Sequence, residues 1–515
     1  MKNQSTSHSL EYLKYSAPRR FFHKFYLFLR AIPKGLLELL LSIGGFFRGI
    51  ALYFVRETRD VIDTYKNGDK ITRTSFFIMG FSSLARGQIL RGILFLAFQI
   101  VFILYTALWG WRWIAKLSFR GLETTKVVPG TPIVIGGVEY SENVTVYGDN
   151  NLQIMIYGVL SLLFVLCFLY TWRVNVRQSR LSQELLAQGK RPKRAKDDLR
   201  AALDSQFHKT VLALPTLGIL FFTVIPIIIM VMVAFTNYDA NHTPPSNLFH
   251  WVGLDNFNQI FTWTGEGGSR AFSATFGEIL TWTLIWAFFA TFSNYFLGML
   301  VAMMINKKGI RLKKLWRTIL VLTIAVPQFI SLLYVSKLFA DEGLINRFLL
   351  EAGWIKQAIP FWTDATLARV MVILVNIWVG IPYQMLITTG VLMNIPADLY
   401  ESARIDGARP FQQYVKITLP YMLFVTGPYL LTNFIGNMNN FNVIYLLTGG
   451  APYTQPYAGA GKTDLLITWL YRLTVTNNDY KRAAVIGIMV FLVVAVISLI
   501  VYNLMPSIKS EEEFQ

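Results

Sequence analysis

Cysteine is almost absent from this sequence: Cys167 is the only one in 515 residues. An intrachain disulfide framework is therefore excluded, and the position of Cys167 inside an apolar run marks it as a packing residue. Acidic side chains are missing from the interiors of the long apolar runs. Glu278 stands at the edge of one, and the cations Arg112, Lys337 and Arg369 lie towards run ends. Carriers driven by protons or sodium need a buried ionisable group or an ion cage, so this absence argues against them, although backbone carbonyls can bind an ion. A complete phosphate-binding loop is also lacking. Gly459 to Thr463 reads GAGKT, but Pro456 occupies the place of the first glycine, where the chain must turn tightly around phosphates. No nucleophile, base or metal-ligand cluster lies near a run end, which disfavours a membrane enzyme.

Apolar length dominates what is present. The chain is 54% hydrophobic and 15% charged, with mean hydropathy +0.43, whereas about a quarter of a soluble domain is charged. Eight runs reach the roughly 20 residues that a spanning helix needs, at 93–114, 153–172, 211–236, 278–305, 317–339, 367–391, 420–447 and 483–505. The expected fold is an all-α polytopic membrane protein with about eight spans and both termini cytoplasmic. Of the 48 lysines and arginines, 35 fall in the segments this orientation places inside and 10 in those it places outside. That asymmetry satisfies the positive-inside rule, so the net charge of +18 is topology rather than a nucleic-acid surface.

Three segments follow from this layout. Residues 1–92 are basic and intermittently apolar, with no cleavable leader pattern, and 36–54 is expected to lie in the membrane interface. Residues 93–200 form a two-span extension whose outer loop, 115–152, has the valine and glycine punctuation of a β-hairpin and whose end is a basic linker. Residues 201–508 form a six-span core. Pro226, Pro327, Pro382 and Pro428 free backbone carbonyls within its spans and predict kinks.

Neutral polar residues gather in two of these spans. Asn376, Gly380 and Tyr383 are spaced i, i+4, i+7 on one helical face, and Asn433, Gly436, Asn437 and Asn440 make another, with Asn439 and Asn442 nearby. An amide facing lipid is costly, so both faces look at protein or at a watery cavity. Amides pair hydroxyls as donor and acceptor, and rings stack on sugar faces, so a cavity of this kind suits a neutral polyhydroxylated ligand. Bonding between helices is the competing explanation. Between the two spans lies the polar segment 394–420. Pro396 and Asp398 favour a helix start, Gly407 supplies a left-handed stop, and Pro410 opens a second short helix that Pro420 closes.

Glu401, Ala403, Gly407, Ile417, Leu419 and Pro420 in that segment resemble the EAA signature of ABC importer permeases, with Ser402 in the usual place of alanine. From about Phe235 onward the chain is similar to the carbohydrate permeases of that family, in particular the larger membrane subunit of maltose/maltodextrin transporters. Residues 235–238, 252–256, 376–383, 439–441, 446–450 and 463–466 carry the likeness. The resemblance implies an oligosaccharide site at Asn376, Val379, Gly380, Tyr383, Asn433, Gly436, Asn437 and Asn440, and an ATPase-coupling element at Glu401, Ser402, Ala403, Asp406 and Gly407. It further implies a second permease, two ATP-binding subunits that hold ATP and magnesium, and an extracellular solute-binding protein, with no cofactor on this chain. Gly436 stands where the relative has a bulky aromatic and Asn433 where it has serine. Residues 237–277 are too short for the large external domain of the enteric subunit, which suggests a Gram-positive cell membrane. The alternative is a facilitator or secondary carrier that works without partners.

Overall fold

The computed structural model describes residues 41, 44–117, 122, 126–129, 133–135, 138–140, 143–146, 148–192, 195–261, 268–307, 309–453 and 459–504. They fall into two compact units that divide at Gly265 and Glu266, with 470–488 grouped with the N-terminal unit.

In the N-terminal unit, helix α1 covers 44–67 and is followed by α2 (Lys70–Thr74), α3 (Phe81–Ala85) and α4 (Ile89–Lys116). The interfacial segment expected at 36–54 lies partly outside the described residues. Its remainder belongs to α1, which continues well beyond 54. The polar half of α1 is fixed by ion pairs from Arg173 to Glu57 and Asp60 and from Arg180 to Asp60. Those arginines lie on α5 (Asn151–Ala187), which extends past the expected span end as a charged helix. The turn before α3 is held by a polar core. Asn175 Oδ1 accepts from the Gly80 amide at 2.9 Å while its Nδ2 donates to Ser75 O at 2.9 Å. Gly80 has φ +83, and a Cβ there would meet the Gly92 carbonyl at 2.2 Å, so only glycine fits.

The loop between α4 and α5 contains strands β1 (Lys126–Pro129), β2 (Ile133–Ile135), β3 (Val138–Tyr140) and β4 (Asn143–Val146). β2 pairs antiparallel with β3 and β1 with β4, which is a nested hairpin. Helices α6 (Ala195–Leu203), α7 (Phe207–Val233) and α8 (Asp255–Phe261) complete this part. A loop after α7 is tied to residues 480–482: Tyr238 stacks on Tyr480 at 4.5 Å, and Lys481 Nζ reaches Asp239 at 2.5 Å. Burial alone would raise the Asp239 carboxyl, but hydrogen bonds from Lys481 and His242 outweigh it and hold the group down to about 2 from its ordinary 3.8. A carboxylate depressed on folding stabilises above its unfolded pKa and loses that contribution as pH falls through the folded one. Melting of the solubilised chain is therefore expected to drop between about pH 4 and pH 2. Asp239→Asn should lower the melting temperature at neutral pH and flatten that acid limb.

In the second unit, α9 (Gly268–Asn306) packs along α13 (Ala365–Leu392) and α16 (Leu419–Met438). The span expected at 317–339 is not continuous. It breaks into α10 (Lys313–Ala325) and α11 (Gln328–Leu338), bent by 85° at Val326 and Pro327. Proline accounts for the break, since it removes a hydrogen bond and disfavours α geometry in the preceding residue. Pro382 and Pro428, in contrast, stay inside helices, and Pro226 starts a new α-helical stretch after a π turn. The remaining elements of this unit are α12 (Leu344–Glu351), α14 (Ala397–Ile405), α15 (Pro410–Gln413) and α17 (Phe441–Leu447), while α18 (Leu466–Val475) and α19 (Tyr480–Leu504) are each divided between the two units.

Six described helices are long and apolar enough to cross a membrane, or seven if the bent pair is one span. The seventh expected run, 420–447, forms α16 and α17. Prolines and amides dilute its apolar character, and it is not among them. Trp282, Trp286, Leu332, Val372, Val443 and Leu465 centre one buried cluster of this unit, and Tyr295, Met299, Met422 and Leu430 another. Between helices in lipid such contacts stabilise chiefly by close packing, because hydrocarbon is as apolar as leucine.

Candidate functional site

A polar seam runs between α9, α13 and α16, built from the amide faces and from residues of α9. Asn437 is its centre and is 9% exposed. Its Nδ2 donates to Thr291 Oγ1 at 3.0 Å and to Asn433 Oδ1 at 3.4 Å, and its Oδ1 accepts from Asn440 Nδ2 at 3.4 Å. Trp286 Nε1 donates to the Asn437 carbonyl at 3.1 Å. Asn440 also caps α17 through the Val443 amide. On α13, Asn376 is 6% exposed, and its carbonyl accepts from Asn294 Nδ2 at 3.5 Å. A Cβ on Gly380 would lie 2.3 Å from that same Asn294 nitrogen. Val379 packs against the Trp282 cluster. One turn further, Gln384 accepts from Tyr429 Oη at 3.1 Å.

The structure thus brings Asn376, Gly380, Asn433, Asn437 and Asn440 into one seam and leaves two positions outside it. Tyr383 is 53% exposed, and Gly436 is exposed with no atom within 4 Å of an added Cβ. Sequence reasoning missed Thr291, Asn294, Gln384 and Tyr429. The signal was available on α9, where Thr291, Asn294 and Gly298 are spaced i, i+3, i+7 in an otherwise apolar run. Asn294 Oδ1, Asn376 Nδ2 and Asn433 Nδ2 are buried without a hydrogen-bond partner in the chain. An unmet buried amide costs about 1–3 kcal/mol, so these three atoms mark where a hydroxyl or a water is best accommodated.

Segment 394–420 forms the second part. α14 ends where Gly407 takes φ +76, and the Ala408 amide returns to Ala403 O at 2.8 Å, a left-handed helix stop. Gln412 Oε1 accepts from the Arg409 amide at 2.8 Å and sets the next start. The expected closure at Pro420 does not occur. From Pro410 the helix continues through a π turn (Tyr414–Thr418) directly into α16, and that widened turn absorbs the missing proline N–H. Glu401, Ser402, Asp406 and Gly407 are exposed and Ala403 is half-buried. Ile405 is 87% and Phe411 75% exposed, two large apolar side chains on a polar loop. Tyr400 Oη and Thr418 Oγ1, 2.8 Å apart, brace α14 against the base of α16.

The GAGKT stretch folds as a structural turn. The Gly461 amide donates to Asp464 Oδ2 at 2.8 Å, and a Cβ on Gly461 would meet Gly450 O at 1.8 Å. Lys462 pairs with Glu278 at 2.9 Å, and Arg369 binds both Glu278 and the Lys462 carbonyl. The lysine is thus committed to an ion-pair cluster around Glu278 of α9.

Residues 294–510 match the family model described as binding-protein-dependent transport system inner membrane component. The chain is 32% identical over 444 residues to the maltodextrin transport system permease protein MalC of Streptococcus pneumoniae, covering 84% of this chain and 95% of that one. It is 37% identical over 366 residues to the galactooligosaccharides transport system permease protein GanP of Bacillus subtilis, covering 70% and 85%. The maltose/maltodextrin permease MalF of Escherichia coli is 38% identical over 257 residues, 48% of each chain. With nearly the whole of the streptococcal relative aligned to it, this helical, multi-span chain belongs to the family of binding-protein-dependent transport system inner membrane components.

Proposed function

We propose that the chain is the permease subunit of an ABC importer for an oligosaccharide and forms half of the translocation pathway. The observation that carries this reading is kinship with oligosaccharide permeases across most of the length of both chains. The partners are a second permease, two ATP-binding subunits that hold the ATP and magnesium, and an extracellular solute-binding protein that docks on loops such as 448–482. The positive-inside bias supports a cell membrane with both termini cytoplasmic, and relatives from Streptococcus and Bacillus support a Gram-positive source.

Connectivity supports a mechanism of alternating access. Only Met393 to Pro396 separates α13 from α14, and α16 follows α15 without a break. A displacement of α14 by the ATPases therefore reaches both helices that carry the amide faces. Exposed Ile405 and Phe411, flanked by Glu401 and Asp406, suit a cleft with an apolar floor and a polar rim. The partnerless carrier leaves these exposed apolar groups without a role.

The substrate-binding set remains Asn376, Val379, Gly380, Tyr383, Asn433, Gly436, Asn437 and Asn440, with Asn294 added. Tyr383 and Gly436, exposed on this chain, face the second half of the pathway, and open space at Gly436 admits a bulkier or differently linked sugar than maltose. Gly436→Phe should shift substrate preference towards smaller saccharides, measured as competition against labelled uptake. An unaltered preference leaves Gly436 as a packing residue. Reconstitution tests the whole reading: liposomes with the four membrane and ATPase subunits plus binding protein should take up sugar only with ATP. Transport by this chain alone without ATP sinks it.

A further inference from the structure

We propose that Thr432 of α16 and Asn439 at its end are specificity-determining residues that read the hydroxyls of one hexose ring lying over Gly436. This rests on the oligosaccharide-permease reading. From Thr426 to Asn439 the exposed positions are Pro428, Thr432, Gly436 and Asn439, spaced i, i+4, i+8 and i+11, so they form one line along the helix. None carries a large apolar side chain. The exposed positions of α9, in the same unit, are the opposite, with Ile285, Phe288, Phe289, Phe296, Leu297 and Leu300 among them. That is a surface for lipid. A hydroxyl and an amide turned to hydrocarbon are costly, so the α16 line looks instead into the watery pathway between the two permeases.

Level and size agree with a sugar ring. The middle of the apolar run 420–447 falls between Thr432 and Gly436, and transporters hold their substrates near the bilayer midplane. Gly436 is a bare floor there, with no atom within 4 Å of an added Cβ. Thr432 stands one turn before it and Asn439 one turn after. The two are about 10 Å apart along the helix, room for one hexose ring with its hydroxyls.

The free bonding positions select the ligand. Thr432 Oγ1 donates to the Pro428 carbonyl at 3.0 Å, which leaves the oxygen lone pairs to accept. Asn439 Nδ2 gives one hydrogen to the Ile435 carbonyl at 3.2 Å, leaving its second N–H to donate and Oδ1 to accept. Asn433, a turn from Gly436, has its Oδ1 held by Asn437 and its Nδ2 buried without a partner in the chain. Donors and acceptors thus frame the glycine, and a hydroxyl satisfies either kind. No residue of the line is charged, so a carboxylate or ammonium on the ring would lose hydration without a counter-ion. Neutral rings are therefore selected. No residue of the line is aromatic either, so the ring is read at its hydroxyl edge rather than by stacking on its face.

The test uses the full transporter with its binding protein in liposomes. ATP-driven uptake is measured for labelled maltotriose or galactotriose, whichever the native complex carries, and for analogues of that sugar that each lack one hydroxyl. The native complex is expected to carry at least one analogue about fivefold more slowly than the parent, the loss of one hydrogen bond. Thr432→Val and Asn439→Leu should each slow the parent about fivefold and bring such an analogue level with it, because the binding protein is the same throughout. Thr432→Ser, which keeps the hydroxyl, should retain both rate and discrimination. Unchanged discrimination in both the valine and the leucine variants overturns the proposal. Loss of the second permease on co-purification with either variant also overturns it, by showing that the line is a contact between helices. Uptake of neither sugar, or uptake without ATP, refutes the oligosaccharide-permease reading itself, a separate outcome.

Discussion

Gly407→Pro abolishes sugar uptake and the co-purification of the ATPase, while the chain still inserts into the membrane. Gly407 has φ +76, and its N–H donates to Arg404 O at 3.0 Å. Proline fixes φ near −65° and has no N–H, so the helix stop cannot form, at a cost of about 3 kcal/mol or more. The damage is local, because α14 is a nine-residue helix with no fully buried side chain. What it loses is the direction in which Ile405, Glu401 and Phe411 are presented. Gly407→Ala is the graded control. No atom lies within 4 Å of an added Cβ, so its cost is the left-handed strain of about 1–2 kcal/mol, and uptake should fall without vanishing. Normal uptake by the proline variant, with normal ATPase association, contradicts a coupling role for the segment.

Gly298→Leu prevents assembly of the core. A Cβ at Gly298 would lie 2.5 Å from Gln384 Cβ, and 2.9 Å from both the Gln384 carbonyl carbon and the Met385 nitrogen. Backbone atoms cannot rotate away, so α9 and α13 must separate. Ordinary overpacking costs about 1–3 kcal/mol, and here it also disturbs the Asn294 to Gly380 contact one turn away on both helices. The expected readout is loss of the monodisperse peak in detergent size-exclusion, with the chain recovered as aggregate. Gly380→Ala, which meets the amide end of Asn294, should preserve folding and reduce uptake. A Gly298→Leu chain that remains monodisperse and active shows that the two helices are looser than their contacts indicate.

Legibility varied with how local each feature is. The Gly407 stop could be read directly, because a glycine followed three positions later by a proline that opens the next helix is a backbone matter. The 85° bend at Pro327 could not: proline predicts a break, but its angle is set by what the two pieces pack against. At Pro420 the expectation failed because a π turn upstream supplied an alternative hydrogen-bond pattern. The basic N-terminal segment hid a folded turn whose partners, Ser75 and Asn175, are a hundred residues apart.

For the candidate site, periodicity placed the amides on faces but could not say what each face meets. Asn433, Gly436, Asn437 and Asn440 read as one stripe. Packing splits it, with Asn437 bonded to Thr291 of α9 and Gly436 open. Asn294 escaped notice because one amide in a long apolar run has no periodic partner of its own kind.

The sequence by itself determined the helical membrane class, the family, and the place of the polar segment 394–420 proposed to couple to the ATPases. Each depends on run length, charge asymmetry or backbone chemistry, which act over a few residues. Only the tertiary structure decided which polar groups are shared between helices and which are left unmet, and where Gly298 and Gly380 bring α9 against α13. In a bilayer the apolar surfaces of different helices are nearly equivalent to lipid, so contact geometry rather than hydrophobicity selects the neighbours.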